Sequence, residues 1–153
     1  MRMDSPQSIF ERAAARGKAS GLTYAGAMHP REAHDYLKQN PAARLVDVRT
    51  DSEWTWVGHV QDSVLIEWNT WPSGEQNENF LPDLKGAVPS TDSPILFICR
   101  SGARSHRAAI AATEAGYTIC FNVLEGFEGD RDKNDHRSSV GGWHFAGLPW
   151  VQS

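Results

Sequence analysis

The chain lacks any long apolar run, and this lack limits where the protein can act. Across 153 residues, no stretch approaches the roughly 18 consecutive apolar residues that a membrane-spanning helix requires. The first residues, 1–6, also hold no apolar core of a secretory signal. We therefore expect a cytoplasmic protein with no membrane partner.

Cysteine is scarce, with only Cys99 and Cys120 present. Two cysteines do not make the disulfide scaffold of a small secreted domain. They are also far apart in sequence, which makes them a poor zinc site. Cys120 lies between Ile119 and Phe121, so we assign it to the core and leave Cys99 for chemistry.

Positive charge is in short supply as well, because 15 Lys and Arg face 19 Asp and Glu for a net charge of −4. This balance argues against a broad nucleic-acid-binding surface, and we expect no nucleic-acid partner. It is still compatible with a local basic cleft, since the field at a site depends on the nearby charges. The length fits one ordinary domain, and the hydrophobic content of 40% is typical of globular proteins.

Short apolar segments alternate with helix-prone segments along the chain. Strands are predicted at 43–48, 64–66, 95–98 and 118–124. A first helix is predicted to begin at Pro6 and to be ended by Gly17 and Gly21. Further helices are predicted at 30–40, 52–57, 80–84 and 105–115. Such alternation indicates an α/β domain with a mainly parallel sheet, in which ligands bind at the carboxyl ends of the strands.

A cysteine stands directly after the clearest buried strand, 95–98, and opens the segment Cys99–Ser105. Its small residues at 101–103 allow the backbone to curl with successive N–H groups pointing inward, and such nests hold negative charge. The following helix start, Arg100 and Arg104 add positive potential. Each factor favours the thiolate over the thiol. A strand-end cysteine alone is more often structural, but in this setting we interpret Cys99 as a nucleophile.

Three segments together resemble the rhodanese family. Cys99–Ser105 looks like the active-site loop of single-domain rhodaneses, in which four residues separate the cysteine from an arginine. Leu45–Arg49 resembles the first core strand of the family with its Asp-Val-Arg ending. Residues 53–54 and 58–60 resemble a second signature, in which an acidic-aromatic pair precedes Gly-His. The order and spacing of these segments also fit.

The resemblance implies a rhodanese-like α/β fold, with a central, mainly parallel five-stranded sheet flanked by helices. This domain would span residues 29–153, and residues 1–28 would form a helical extension packed on it. The implied activity is that of a thiosulfate sulfurtransferase, with Cys99 as the catalytic residue and no metal or organic cofactor. The implied partners are a small anionic sulfur donor and an acceptor that is a thiol, cyanide or a protein. The implied substrate-binding residues are Arg100, Ser101, Gly102, Ala103, Arg104 and Ser105.

Other candidate residues receive structural interpretations. Asp47 and Arg49 end a strand on the ligand side, and we interpret them as an ion pair that supports the pocket. For His59 we expect a turn histidine with a satisfied hydrogen bond rather than a base. Trp68 and Trp71 are either core and loop anchors or lie at the mouth of the site. The acidic residues between 125 and 135 do not match the spacing of a calcium loop, so no metal site is assigned.

Two alternative functions stay open. Phosphatases and arsenate reductases of related architecture separate their cysteine and arginine by five residues. Here the position of that arginine is taken by Ser105, and the tighter loop favours a sulfur atom over a phosphate group. The other alternative is a non-catalytic binding or regulatory module of the same fold. Inactive modules typically lack the cysteine, which this chain retains.

Overall fold

The structure, a computed structural model, describes residues 3–152 and contains one five-stranded sheet in which every strand pair is parallel. The strand order is β1-β5-β4-β2-β3. The strands are β1 (Gly26–Met28), β2 (Arg44–Asp47), β3 (Val64–Leu65), β4 (Ile95–Ile98) and β5 (Cys120–Val123). The predicted α/β class and five-stranded parallel sheet are therefore confirmed.

Helices cover both faces of the sheet, because alternate side chains of each buried strand point to opposite sides. The helices are α1 (Pro6–Ala19), α2 (Pro30–Gln39), α3 (Asp51–Trp56), α4 (Phe80–Ala87) and α5 (Ala103–Glu114). Helices α1 and α2 share one buried cluster with Leu96 and Ile98 of β4. Helices α4 and α5 share the other cluster with Ile95 and Phe97 of the same strand.

The first helix begins as predicted and ends slightly later. The Ser5 side chain caps it by accepting a hydrogen bond from the Ser8 N–H at 3.2 Å. Gly17 does not end the helix but lies buried within it, where its missing side chain lets α1 approach β1 closely. The helix ends instead at Ala19, and Gly21, at φ 67°, turns the chain in the left-handed conformation.

Strand β1 was not predicted from the sequence. Its residues include Gly26 and Ala27, which have low strand propensity, so only pairing with β5 makes the segment a strand. The segment before residue 29 thus supplies both a helix and an edge strand of the sheet.

Two long irregular segments, one between β3 and α4 and one after β5, are held to the core by buried apolar side chains. Residues 66–79 connect β3 to α4 as a long loop, in which Trp68 is buried and packs edge-on against Phe80 with ring centroids 5.0 Å apart. Trp71 of the same loop is exposed. After β5, Phe127, Trp143 and Leu148 are buried in the cluster under α1 and α2. Among residues 3–152, no helix is both long and apolar enough to cross a membrane.

The contact between α1 and β1 yields a stability prediction. A methyl group at Gly26 would lie 2.5 Å from the carbonyl carbon of Ala13, and backbone atoms cannot move aside cheaply. We expect Gly26→Ala to lower the free energy of unfolding in urea by about 2–3 kcal/mol. The control is Gly86→Ala in α4, where the added methyl group would meet no atom within 4 Å beyond its chain neighbours and the backbone of its own helix. That change should be neutral or stabilising by about 0.5–1 kcal/mol. Equal effects of the two substitutions would contradict this packing.

Candidate active site

Cys99 lies at the carboxyl end of the sheet, directly after β4 and before α5. Gly102 takes the N-cap position of α5 at φ 116°, a conformation that glycine adopts without strain. This turn folds the loop of residues 99–105, named here the Cys99 loop, back over the strand end. The predicted position of Cys99 at the carboxyl edge of the sheet is therefore confirmed.

The Cys99 thiol lies at the inner end of this loop, and the residue is only 1% exposed. The Gly102 N–H donates a hydrogen bond to Sγ at 3.1 Å, and the sulfur is 3.2 Å from Ser105 Oγ. The N-terminus of α5, a twelve-residue helix, adds the positive end of its dipole. The sulfur therefore has a backbone donor and a favourable helix field that would support negative charge.

A buried side chain of β5 completes the surroundings of the sulfur. Ser105 Oγ donates to Asn122 Oδ1 at 2.6 Å, and Asn122 Nδ2 donates to the Gly102 carbonyl at 3.3 Å. Sequence reasoning missed Asn122, although it is the polar residue of an otherwise apolar strand. Such a residue signals a buried partner, because an unpaired amide in a core is costly.

Arg104 is held by Glu53 of α3. Its Nη1 and Nη2 atoms donate to the two carboxylate oxygens at 2.7 and 3.0 Å. Burial works to raise the pKa of Glu53, but its hydrogen bonds to Arg104 and Thr50 outweigh burial, and the pKa is lowered. An arginine carries five N–H donors, so three remain on Arg104 for another anion. The same ion pair raises the pKa of Arg104 against the opposing effect of burial.

The other predicted site residues divide between the outer and inner sides of the loop. Arg100 and Ala103 are exposed, and Ser101 and Gly102 are half-buried. Ser105 is fully buried and contacts Sγ from the inside. The Cys99 loop thus presents Arg100, Ser101 and Ala103 towards the outside.

Asp47 and Arg49 form a fully buried ion pair on the face of the sheet that α1 and α2 cover. The Arg49 Nη2 atom donates to Asp47 Oδ2 at 2.8 Å and to the Gly58 carbonyl at 2.7 Å. The guanidinium also lies 4.3 Å from the centre of the Phe127 ring. This pair therefore joins the end of β2 to the segments that follow α3 and β5.

The segment after β5 supports the Cys99 loop from behind. The Phe127 N–H donates to the Cys99 carbonyl at 2.8 Å, and the Glu128 N–H donates to the Arg100 carbonyl at 3.0 Å. Gly126, at φ 65°, leaves room for this contact, because a methyl group there would lie 2.5 Å from the Cys99 carbonyl oxygen. Two consecutive backbone bonds thus fix the start of the loop.

The side chain of His59 differs from its expectation. The backbone of His59 pairs with Val151, but its Nδ1 atom is buried and has no hydrogen-bond partner in the described chain, so the expected satisfied bond is wrong. No three His, Cys, Asp or Glu side chains of residues 3–152 come together in a way that could hold a metal ion. Cys99 and Cys120 are both free thiols, and burial raises the pKa of Cys120 to about 11.

The Asp47–Arg49 pair yields a second stability prediction. We expect Asp47→Asn to lower the free energy of unfolding in urea by about 3–5 kcal/mol, because it leaves the Arg49 charge buried without a counter-charge. Replacing both residues, as Asp47→Leu with Arg49→Met, should recover much of this loss. An Asp47→Asn variant as stable as the wild type would contradict the buried ion pair between Asp47 and Arg49.

The Glu53–Arg104 pair yields a pH prediction. Because the folded-state pKa of Glu53 is lowered, its ionised carboxylate contributes fully to the free energy of unfolding above the ordinary carboxyl pKa of about 4.3. This contribution is lost as the pH falls through the folded-state pKa. We expect Glu53→Gln to cost about 2 kcal/mol in the free energy of unfolding at neutral pH. This difference from the wild type should shrink when urea unfolding is measured near pH 3. The matched change Glu75→Gln, at an exposed carboxylate, should show little effect. A Glu53→Gln penalty that did not change with pH would contradict the role of its charge.

Comparisons with known proteins agree with this architecture. The sequence profile of the rhodanese-like domain matches residues 29–133. The crystal structure of Rv0390 from M. tuberculosis is 45% identical with a TM-score of 0.79, covering 86% of this chain and 100% of that one. Uncharacterized protein RC0915 of Rickettsia conorii is 37% identical over 78% of this chain and 91% of its own length. The probable adenylyltransferase/sulfurtransferase MoeZ of Mycobacterium tuberculosis is 29% identical over 77% of this chain and 26% of its own length. With its parallel sheet, its Cys99 loop and a profile match over most of its length, this chain belongs to the rhodanese-like domain family.

Proposed function

We propose that the protein is a sulfurtransferase that moves a sulfane sulfur from a small anionic donor such as thiosulfate to a thiophilic acceptor. The observation that carries this proposal is the position of Cys99 Sγ, which receives the Gly102 N–H at 3.1 Å at the inner end of a loop that closes with Arg104. A loop with this spacing suits a single sulfur atom. The proposal extends family membership to a particular reaction.

In the first step the Cys99 thiolate attacks the outer sulfur of thiosulfate. The bond from Sγ to that sulfur forms, the sulfur–sulfur bond of thiosulfate breaks, and sulfite leaves with its electron pair. This is covalent catalysis by an activated nucleophile. The Gly102 N–H and the α5 dipole stabilise the negative charge of the thiolate and of the persulfide that follows.

Arginines hold the oxygen atoms of the donor. Arg104 keeps three N–H donors free while Glu53 fixes its orientation, and a fixed guanidinium suits a multi-oxygen anion. Arg100 is exposed at the entrance and attracts the donor by its charge. Glu53 is therefore a positioning residue, acting through Arg104.

In the second step an acceptor nucleophile attacks the outer sulfur of the persulfide, and Sγ leaves as a thiolate, which restores the enzyme. The acceptor is a thiol, cyanide or a protein that carries a nucleophile. Neither step requires a metal or an organic cofactor. The sequence likeness to a probable adenylyltransferase/sulfurtransferase supports a sulfur-transfer role for the matched region.

The proposal predicts a stable covalent intermediate. After treatment with thiosulfate and removal of the excess, the mass of the protein should increase by one sulfur atom, and peptide mapping should locate that atom on Cys99. Cys99→Ser should remove both the added mass and thiocyanate formation from cyanide, because an alcohol cannot carry the sulfur. Cys120→Ser is the matched control, since Cys120 is buried in the core and should leave both readouts unchanged.

Two outcomes would overturn the proposal. A wild-type protein that gains no sulfur but hydrolyses an aryl phosphate would be a phosphatase. A protein that neither gains sulfur from thiosulfate, persulfide or polysulfide donors nor hydrolyses phosphate would be a binding module.

A further inference from the structure

We propose that a groove on the α1 and α2 side of the sheet binds a small aromatic molecule that carries both an ammonium and a carboxylate group, as an aromatic amino acid does. The groove has a volume of about 530 Å³, which is typical of small-molecule sites. It lies beside Ala43 and Leu45 at the start of β2, whereas Cys99 follows the end of the parallel strand β4. The site is therefore separate from the Cys99 loop, and the inference goes beyond the proposed function.

The groove lies where irregular segments, rather than a helix, cover the sheet. One wall is α2, and the others are the turn of residues 60–63 and the C-terminal segment 143–151. Leu37 of α2, Val60 of the turn and Trp150 of the C-terminal segment line the groove, and all three are only half-buried. A ligand that covered these apolar side chains would release water from their surfaces, which favours binding.

The C-terminal wall of the groove is held in place by hydrogen bonds. Trp143 Nε1 donates to the Pro149 carbonyl at 2.9 Å. His59 and Val151 exchange two backbone hydrogen bonds of 2.9 and 2.8 Å. Trp150 lies in sequence between the two held residues 149 and 151. The wall is therefore formed before a ligand enters, and binding need not order it.

Two residues of opposite charge border the groove. Lys38 of α2 and Asp62 of the turn are exposed, and neither forms an ion pair within residues 3–152. Arg44 also borders the groove, but its Nη2 atom donates to the Ala87 carbonyl at the end of α4, on the other side of the sheet. Burial lowers the pKa of His34 in the α2 wall, so its ring is uncharged at neutral pH. The groove thus offers a ligand one ammonium and one carboxylate.

The charges and the walls together define the class of ligand. The Lys38 ammonium suits a carboxylate, and the Asp62 carboxylate suits an ammonium. The walls are mostly apolar and include two tryptophans, Trp143 and Trp150, so they suit a flat aromatic ring. An aromatic amino acid combines these three features, and tryptophan is the probe of choice.

The first test titrates the wild-type protein with tryptophan by calorimetry and maps the site by amide chemical shifts. Binding should saturate, and the largest shifts should fall within residues 34–45, 60–63 and 143–151. Alanine has both charges but no ring, and it should not bind in the same concentration range. A titration without saturation, the largest shifts elsewhere, or equal binding of alanine would overturn the inference.

Two single variants test the two charges separately. Indole-3-propionate lacks the ammonium group of tryptophan, and tryptamine lacks the carboxylate. Lys38→Gln should weaken tryptophan and indole-3-propionate about three- to fivefold and leave tryptamine unchanged. Asp62→Asn should weaken tryptophan and tryptamine by about the same factor and leave indole-3-propionate unchanged. If each variant affects all three ligands equally, or none of them, these charges do not recognise the ligand and the inference is wrong.

A third variant fills the groove. Leu37→Trp should abolish tryptophan binding, because the larger side chain would occupy the space of the ligand. The matched control is Leu81→Trp, at an exposed leucine of α4 on the other side of the sheet, which should bind as the wild type does. Urea unfolding checks that both variants fold, and the exposed positions 38 and 62 test the same groove without a change in packing. A folded Leu37→Trp protein with wild-type affinity would contradict the site.

A second copy of the chain is the alternative occupant of the groove. Sedimentation of the ligand-free protein should show a monomer, and a dimer that Leu37→Trp dissociates would overturn the inference. Cys99→Ser should bind tryptophan as the wild type does, because the groove and the Cys99 loop share no residue. A failure of sulfur transfer would therefore leave the binding result intact, and a failure of binding would leave the proposed function intact.

Discussion

The buried charge of Arg49 is the constraint on which the carboxyl edge of the sheet depends. A guanidinium with no exposure needs a counter-charge, which Asp47 supplies, and Asp47 and the Gly58 carbonyl accept hydrogen bonds from its Nε and Nη2 atoms. The Phe127 ring lies against its face. The Phe127 N–H in turn holds the Cys99 carbonyl at 2.8 Å. A charge buried on the α1 and α2 side thus fixes, through one aromatic residue, where the nucleophile begins its loop.

The Cys99 loop is also held from two other elements. Glu53 of α3 forms an ion pair with Arg104 near the end of the loop, and Asn122 of β5 is hydrogen-bonded to both Gly102 and Ser105. The beginning, the middle and the end of the loop are therefore hydrogen-bonded to three different segments of the chain. Such a loop does not need to reorganise when a substrate arrives, which is the condition for effective electrostatic stabilisation.

The sequence predicted those elements whose structure depends on their own local composition. The run Ile95–Ile98 is apolar and short, and the alanine-rich segment after it favours a helix, so β4, the Cys99 loop and α5 were recognisable. Strand β1 was not, because Gly26 and Ala27 become a strand only by pairing with residues almost a hundred positions later. Two residues that contact the Cys99 loop were missed for the same reason, because they are distant from it in sequence. Asn122 lies 17 positions from Ser105, and Glu53 lies 51 positions from Arg104. Only the folded sheet brings these residues together.

The near-complete burial of Cys99 has a consequence for which atom of a persulfide can react. A persulfide has two electrophilic sulfurs, and attack on the inner one would expel the outer sulfur and leave a mixed disulfide. Attack on the outer one delivers the sulfur and frees the enzyme. With Sγ enclosed by Gly102, Ser105 and the loop backbone, an approaching nucleophile meets the outer sulfur first. In the proposed reaction, regioselectivity is thus a matter of steric access, and the depth of the thiol separates productive transfer from a dead-end disulfide.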